Sequence, residues 1–193
     1  MTMTVRRRKD TATPRVFLHK VADVRGGVSV ATSELGGDFL PEGAVLSAAD
    51  ASGICHLVKV ARVTAEAGAS DTAIKVAKLH NFKVGDYVMA KTDDKAYAIT
   101  KIDTSAKGYD TITVGTALGA IAVGGFLTEA KAEATGATGS KSEIKYLPQS
   151  VNGTGKPVVA GSNLDTDAWV IGVTKGNALP DFIASALKCI VNI

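Results

Sequence analysis

The chain has 193 residues, of which 46% are hydrophobic and 21% charged, with a net charge of +3 and only 5% aromatic residues. That length and composition exclude wholesale disorder and allow one domain, or two small ones, around a true core. Few aromatics among many small and β-branched residues argue against a deep aromatic-walled ligand pocket and for thin sheets and packed oligomers.

Residues 1–15 show no periodicity and read as an extended basic arm built on the run Arg6-Arg7-Arg8-Lys9. Residues 1–25 hold seven Lys and Arg against Asp10 and Asp23, a balance of +5, while the other 15 basic and 17 acidic residues leave −2. Such an arm seeks a polyanion or an acidic protein surface. Short strand candidates at 16–18 and 28–30 flank the Arg25-Gly26-Gly27 turn. Loops at Gly36-Gly37-Asp38 and Pro41-Glu42-Gly43 lead into β-like segments at 44–46, 54–64, 72–77, 87–90, 96–102 and 110–114. From Val58 onward polar and apolar positions alternate, as on a half-buried strand. Strands at this spacing predict an antiparallel barrel or sandwich over residues 16–127.

Residues 128–142 are low in bulky apolar side chains and read as a linker or a short helix. Residues 143–193 predict a C-terminal β segment packed on or beside the main domain. Within it, 157–159 and 168–173 form a strand pair, 181–187 one or two helical turns, and 188–193 a last strand. The expected fold class is all-β, mainly an antiparallel barrel or sandwich, with one or two short helices and an extended N-terminal arm. A turn, strand, hairpin, strand pattern recurs three times, from Gly43 through Leu46 to Leu57, Gly85 through Val88 to Ile99, and Gly155 through Val158 to Ile171.

The chemistry of catalysis and metal binding is thin. Gly153-Thr154-Gly155-Lys156-Pro157 fails as a phosphate loop, since Ser150 replaces the first Gly and Pro157 the hydroxyl residue, so it reads as a glycine turn. His19, His56 and His80 are scattered with no metal-ligand spacing, and Cys55 and His56 point to opposite faces of a strand. Asp93-Asp94 and Asp165-Thr166-Asp167 lack the distal Glu of a calcium loop and read as turn caps. Asn152-Gly153-Thr154 matches a glycosylation sequon without a secretory signal to give it meaning. Cys55 and Cys189 sit in apolar surroundings and read as reduced, buried hydrophobes. No apolar stretch stands behind the basic start or approaches the ~20 residues of a membrane span. The expectation is a soluble protein made in a cytoplasm, with no catalytic residues, no cofactor and no metal. Nucleic-acid binding is disfavoured because no strand interleaves aromatic and basic residues as a stacking platform. Trp169, in Ala-Trp-Val-Ile-Gly-Val, reads as core or subunit interface.

Two stretches carry a resemblance. Leu40-Pro41-Glu42-Gly43-Ala44-Val45-Leu46, the run from Thr72 through Leu79-His80-Asn81-Phe82-Lys83-Val84-Gly85-Asp86-Tyr87-Val88 to Met89, Ile99-Thr100-Lys101-Ile102-Asp103 and Tyr109-Asp110-Thr111-Ile112-Thr113-Val114 follow one another in order. Together they resemble head fibre and head decoration proteins of phages and prophages of gut Bacteroidales. Gly155 to Val173, followed by Leu179-Pro180, looks like the ending of many small capsid decoration proteins. The resemblance implies an oligomer, a trimer by preference, on the outer face of an icosahedral head, with the major capsid protein as partner. The chain has no β-helix repeat or long heptad run, which favours a compact decoration or fibre-base protein over a long fibre. In that reading Arg6, Arg7, Arg8 and Lys9 bind the capsid surface. Two other readings remain, a virion protein at the portal, tail or baseplate, and a small β-barrel nucleic-acid binder.

Overall fold

Short runs rich in Val, Ile, Thr and Tyr, cut every few residues by Gly or Asp turns, cannot build long strands; they build many short ones. The computed structural model describes residues 15–159 and 161–193. Among them the strands are β1 (Phe17–Asp23), β2 (Val28–Val30), β3 (Phe39–Leu40), β4 (Val45–Ser47), β5 (Ile54–Cys55), β6 (Val60–Arg62), β7 (Ala73–Val76), β8 (Tyr87–Met89), β9 (Lys95–Asp103), β10 (Asp110–Val114), β11 (Phe126–Ala130), β12 (Ala134–Thr135), β13 (Pro148–Asn152), β14 (Lys156–Pro157), β15 (Leu164–Thr166), β16 (Ala168–Thr174) and β17 (Ile190–Asn192). The one described helix is α1 (Asp181–Ala186). Among the described residues the fold is all-β with a single short helix, the fold class that the strand pattern predicts. The expected N-terminal arm lies outside the described residues.

The middle of the chain forms one antiparallel sheet in the order β6-β11-β8-β9-β10-β7, with β12 beside β9. Its two ends meet. Val63 bridges Val76, Thr64 N–H donates to Lys75 O at 2.9 Å, and Ala77 N–H donates to Arg62 O at 2.8 Å. The concave side encloses a core that includes Ile74, Phe82, Val88, Ile99, Ile112 and Leu127. The two ends of the chain form the other half. A second sheet runs β1-β16-β13-β4, with β17 parallel to β16, and two small sheets, β15-β2-β5 and β14-β3, complete it. Leu46 and Ala168 pack towards the β15-β2-β5 layer, whereas Val45 and Val151 pack on Ile183 and Leu187 at and just after α1. Phe182 of α1 and Ile144 touch this second core and also a small cluster of Met89, Ala96, Ala130 and Ala134 on the first sheet. The helix therefore fills the seam between the halves.

Strand pairing groups the chain differently from the expected segments 16–127 and 143–193. Strands β1 to β4 pair with the C-terminal strands, not with β6 to β11, because each finds its ladder partner after residue 147, and β5 joins them through β2. Residues 128–142 form neither a linker nor a helix. Thr128 to Ala130 complete β11, and β12 pairs with β9; small Ala130 and Ala134 are buried where a larger side chain would not fit beside Met89. The expected strand 54–64 is split. Ile54-Cys55 pairs with β2, Leu57 bridges Leu46, and only the part from Val60 onward joins the first sheet. The segment 157–159 does not pair with 168–173; β14 pairs with β3, and β16 with β1 and β13.

Leu127 is fully buried in the first-sheet core. Leu127→Ala is expected to cost about 3 kcal/mol as transfer and cavity terms add, read as a lower urea midpoint. Val123→Ala at an exposed position should stay within about 0.5 kcal/mol of the parent.

Candidate functional site

The split of segment 54–64 places His56 and Lys59 where the chain crosses from one half to the other. Lys59 is 1% exposed, and its Nζ donates to Asp86 Oδ2 at 2.6 Å and to Glu129 Oε1 at 3.3 Å. The same Glu129 Oε1 accepts from Lys145 Nζ at 2.9 Å, and Lys145 lies 3.9 Å from Glu34 Oε1. Glu34 then accepts from the Tyr146 hydroxyl at 2.6 Å, and its Oε2 lies 3.1 Å from His56 Nδ1. His56 Nε2 faces Asp50 Oδ2 at 3.4 Å, and its ring stacks on Tyr146 at 4.3 Å and 8°. One chain of alternating charge thus runs from Asp86 in the first sheet to Asp50 in the second half. Backbone contacts set its spacing: Glu129 N–H donates to Lys59 O, and Lys145 N–H to Glu129 O.

This environment moves titrations in consistent directions. Burial works against the Glu34 carboxylate, but the Tyr146 hydrogen bond, Lys145 and His56 outweigh it and hold the group below its ordinary value. Burial works against the Lys145 ammonium as well, yet the hydrogen bond and charge of Glu129, with Glu34 behind them, keep it above the ordinary lysine value. Burial and the Glu34 carboxylate push the Tyr146 phenol up. Every charge in the chain except Asp50 is at least partly buried and engaged with another. The arrangement braces the two halves.

A second junction lies in the loop after β7. Leu79 and Asn81 hold positive φ, 66° and 59°. Buried Asn81 donates from Nδ2 to Phe39 O, accepts Gly37 N–H at Oδ1, and its carbonyl accepts Gly36 N–H. A Cβ on Gly36 would stand 1.9 Å from Phe82 O, so only glycine permits this approach. His80 is buried. Its Nδ1 accepts the Phe82 N–H at 3.0 Å, which leaves the proton of the neutral ring on Nε2, 3.4 Å from Asp110 Oδ2. Asp110 is already held by Lys78 Nζ at 2.6 Å. Burial pushes the His80 imidazole down, against the pull of Asp110. Open clefts of about 420 and 570 Å³ flank this loop, the first between Pro41–Val45 and Val60–Arg62, the second between Gly36 and Thr104. Lys78 and His80 line both clefts; Glu42, Lys59 and Arg62 add to the first, and Asp38, Lys83 and Asp110 to the second.

The run Arg6, Arg7, Arg8 and Lys9 lies outside the described residues. The structure does show where the chain enters the body: Val16 and Phe17 N–H both donate to Glu42 Oε1, at 3.0 and 2.8 Å. Sequence reasoning read Glu42 only as part of a turn. Cys55 is a buried free thiol as expected, but Cys189 is exposed, because it sits in the turn after α1 with its neighbours Lys188 and Val191 also open. Asn152 of the sequon is fully buried, donating to Pro41 O and Thr154 O and accepting from Thr166 Oγ1. Trp169 is half-buried, its Nε1 donating to Asp167 Oδ2 at 2.8 Å beneath the Lys20 ammonium. No group of three or more His, Cys, Asp or Glu among the described residues is placed to hold a metal ion. The chain matches no protein-family model, no curated protein and no solved structure.

Lys59→Met is expected to cost about 3–5 kcal/mol, because Asp86 and Glu129 keep their buried charge without the ammonium between them; urea denaturation at neutral pH measures it. The lowered Glu34 value means that folding favours the ionised carboxylate. Its contribution is complete above the ordinary carboxylate range and is lost as pH falls through the folded value. Glu34→Gln should therefore lower the melting temperature at neutral pH and flatten its fall on acidification.

Proposed function

We propose that this chain is a structural protein of a phage particle that decorates the outer face of the head as a homo-oligomer, without enzymatic activity. The observation that carries the reading is how charge is divided. The described body turns Lys59, Lys78 and Lys145 onto Asp86, Glu129 and Asp110 at the junctions of its halves. The dense positive run, Arg6 to Lys9, stands in the segment preceding β1. A braced body with a basic arm suits a protein that is positioned on a large surface, and an acidic lattice of the major capsid protein is the partner that this charge fits. The arm supplies on-rate and salt sensitivity, and the body supplies shape. Its root is fixed, since Glu42 holds the two amides just after Arg15. No described helix is long and apolar enough to cross a membrane.

Deleting residues 1–13 should lower occupancy on empty, expanded heads several-fold and flatten its dependence on salt. Unchanged occupancy would remove the arm from the mechanism. Particle imaging separates a head site from a portal, tail or baseplate site. A gel shift by the body lacking the arm would favour the nucleic-acid reading instead.

A further inference from the structure

The second sheet is covered unevenly. One face packs on α1, while the other is covered by the β15-β2-β5 layer only at its β4–β13 end, through Leu46 and Ala168. At the β1–β16–β17 end that face is bare. Register places Val191 beside Val173 and Ala22 beside Ile171, so these four side chains share the uncovered side. Ile171 is 40% exposed and Val191 54%. Leu18 and Val21, the extra residues at two irregularities of β1, and Ile193 beyond β17 are exposed beside them, Val21 and Ile193 at 68%. Burying these residues inside the monomer would need another layer, and the described chain has none there.

We infer that this face is where copies of the chain meet one another. The inference rests on the homo-oligomer of the proposed function and names its surface. Leu18, Val21, Ile171, Val191 and Ile193 together leave on the order of 500 Å² of apolar side chain open, the size at which a patch marks an interaction site. Two such faces in contact bury about 1,000 Å², the threshold of a stable interface, and a third copy would add to it. A face of Ile, Val and Leu side chains carries no donors or acceptors to match, so it is complementary to itself, as an interface between identical copies requires. The chain's own preceding segment does not suit it, because residues 1–14 hold only Met1, Met3 and Val5 as larger apolar side chains among four basic residues. The irregular β1 edge opposes ladder extension on that side, in keeping with packing through the face.

The test is the mass of the full chain in solution, by light scattering, for the parent and for Val21→Lys with Val191→Lys. Both positions are exposed and on edge strands, so the fold survives the change, and circular dichroism checks that it does. The parent is expected as an oligomer, and the double variant as a single chain with an unchanged spectrum. Val84→Lys and Val123→Lys, exposed apolar positions on the other half, should leave the oligomer intact. An oligomer of unchanged mass in the double variant overturns this face alone. A parent that is monomeric at high concentration overturns both the face and the homo-oligomer. Head occupancy, measured separately, tells whether the virion reading fails with them.

Discussion

The ion-pair chain that joins one half of the described molecule to the other is anchored on the Lys59 ammonium. Taking an ammonium out of water costs several kcal/mol unless carboxylates replace the solvent at hydrogen-bond distance. Asp86 and Glu129 do so from two different strands of the first sheet or their approaches. Asp86 Oδ2 also accepts the Lys83 N–H at 2.8 Å, so the carboxylate that neutralises Lys59 also ends the loop after β7. Glu129 shares its Oε1 between Lys59 and Lys145, and its Oε2 is buried with no partner. A carboxylate placed this way tolerates no loss of cations. The junction is therefore specific more than it is strong: an apolar replacement of the whole set could pack as well, but removal of one member strands the rest.

The loop after β7 shows the same economy in the backbone. A leucine held at φ 66° costs about 1–2 kcal/mol relative to the right-handed region, and its half-exposed side chain recovers little of that by burial. The compensation lies on either side. Lys78 reaches Asp110, and Asn81 is tied to Gly36, Gly37 and Phe39 in the other half. Leu79 is bent because its neighbours are fixed. The close approach of Gly36 to Phe82 belongs to the same junction, and so does the Lys83 Nζ that donates to Ser33 O.

Local patterns made the strands legible, and non-local pairing hid their partners. Asp110–Val114 alternates buried and half-buried residues as its β-branched run predicts. Two of the three recurring patterns are true hairpins: Leu46 bridges Leu57, and Val88 pairs with Tyr97 while Ile99 N–H donates to Asp86 O. The third fails, since Val158 N–H donates to Asp38 O instead of meeting Ile171. Its cue is local, but its partner lies 120 residues earlier in the chain. Lys59 misled for a related reason. Alternation assigns a lysine between two valines to solvent, and only the acids at positions 86 and 129, invisible to a local window, make its burial possible. His56 is similar, with its carboxylates at 34 and 50. Spacing rules built for metal ligands do not register a histidine used as a link between acids. Residues 128–142 misled through size: small side chains read as a linker when they are the ones that fit between β9 and α1.

The distribution of polar and apolar groups gives the described body a directed exterior. Ion pairs are worth little on a wet surface and are specific when buried; this body places them at its internal seam. Apolar side chains are worth most when buried, yet a group of them is left open on β1, β16 and β17. β1 connects this surface to the rest of the proposal. It carries part of the open face, it is paired only to β16, and its first residues are pinned by Glu42. The basic run, Arg6 to Lys9, lies upstream of it in sequence. If copies meet through this face, each brings one Glu42-held root on the same strand, so the number of copies sets the number of arms. Several weak arms displayed from one assembly bind a repeating acidic lattice far more tightly than any arm alone, provided their spacing matches it. On the proposed reading, the four basic side chains of each copy act together, in the number that the oligomer sets.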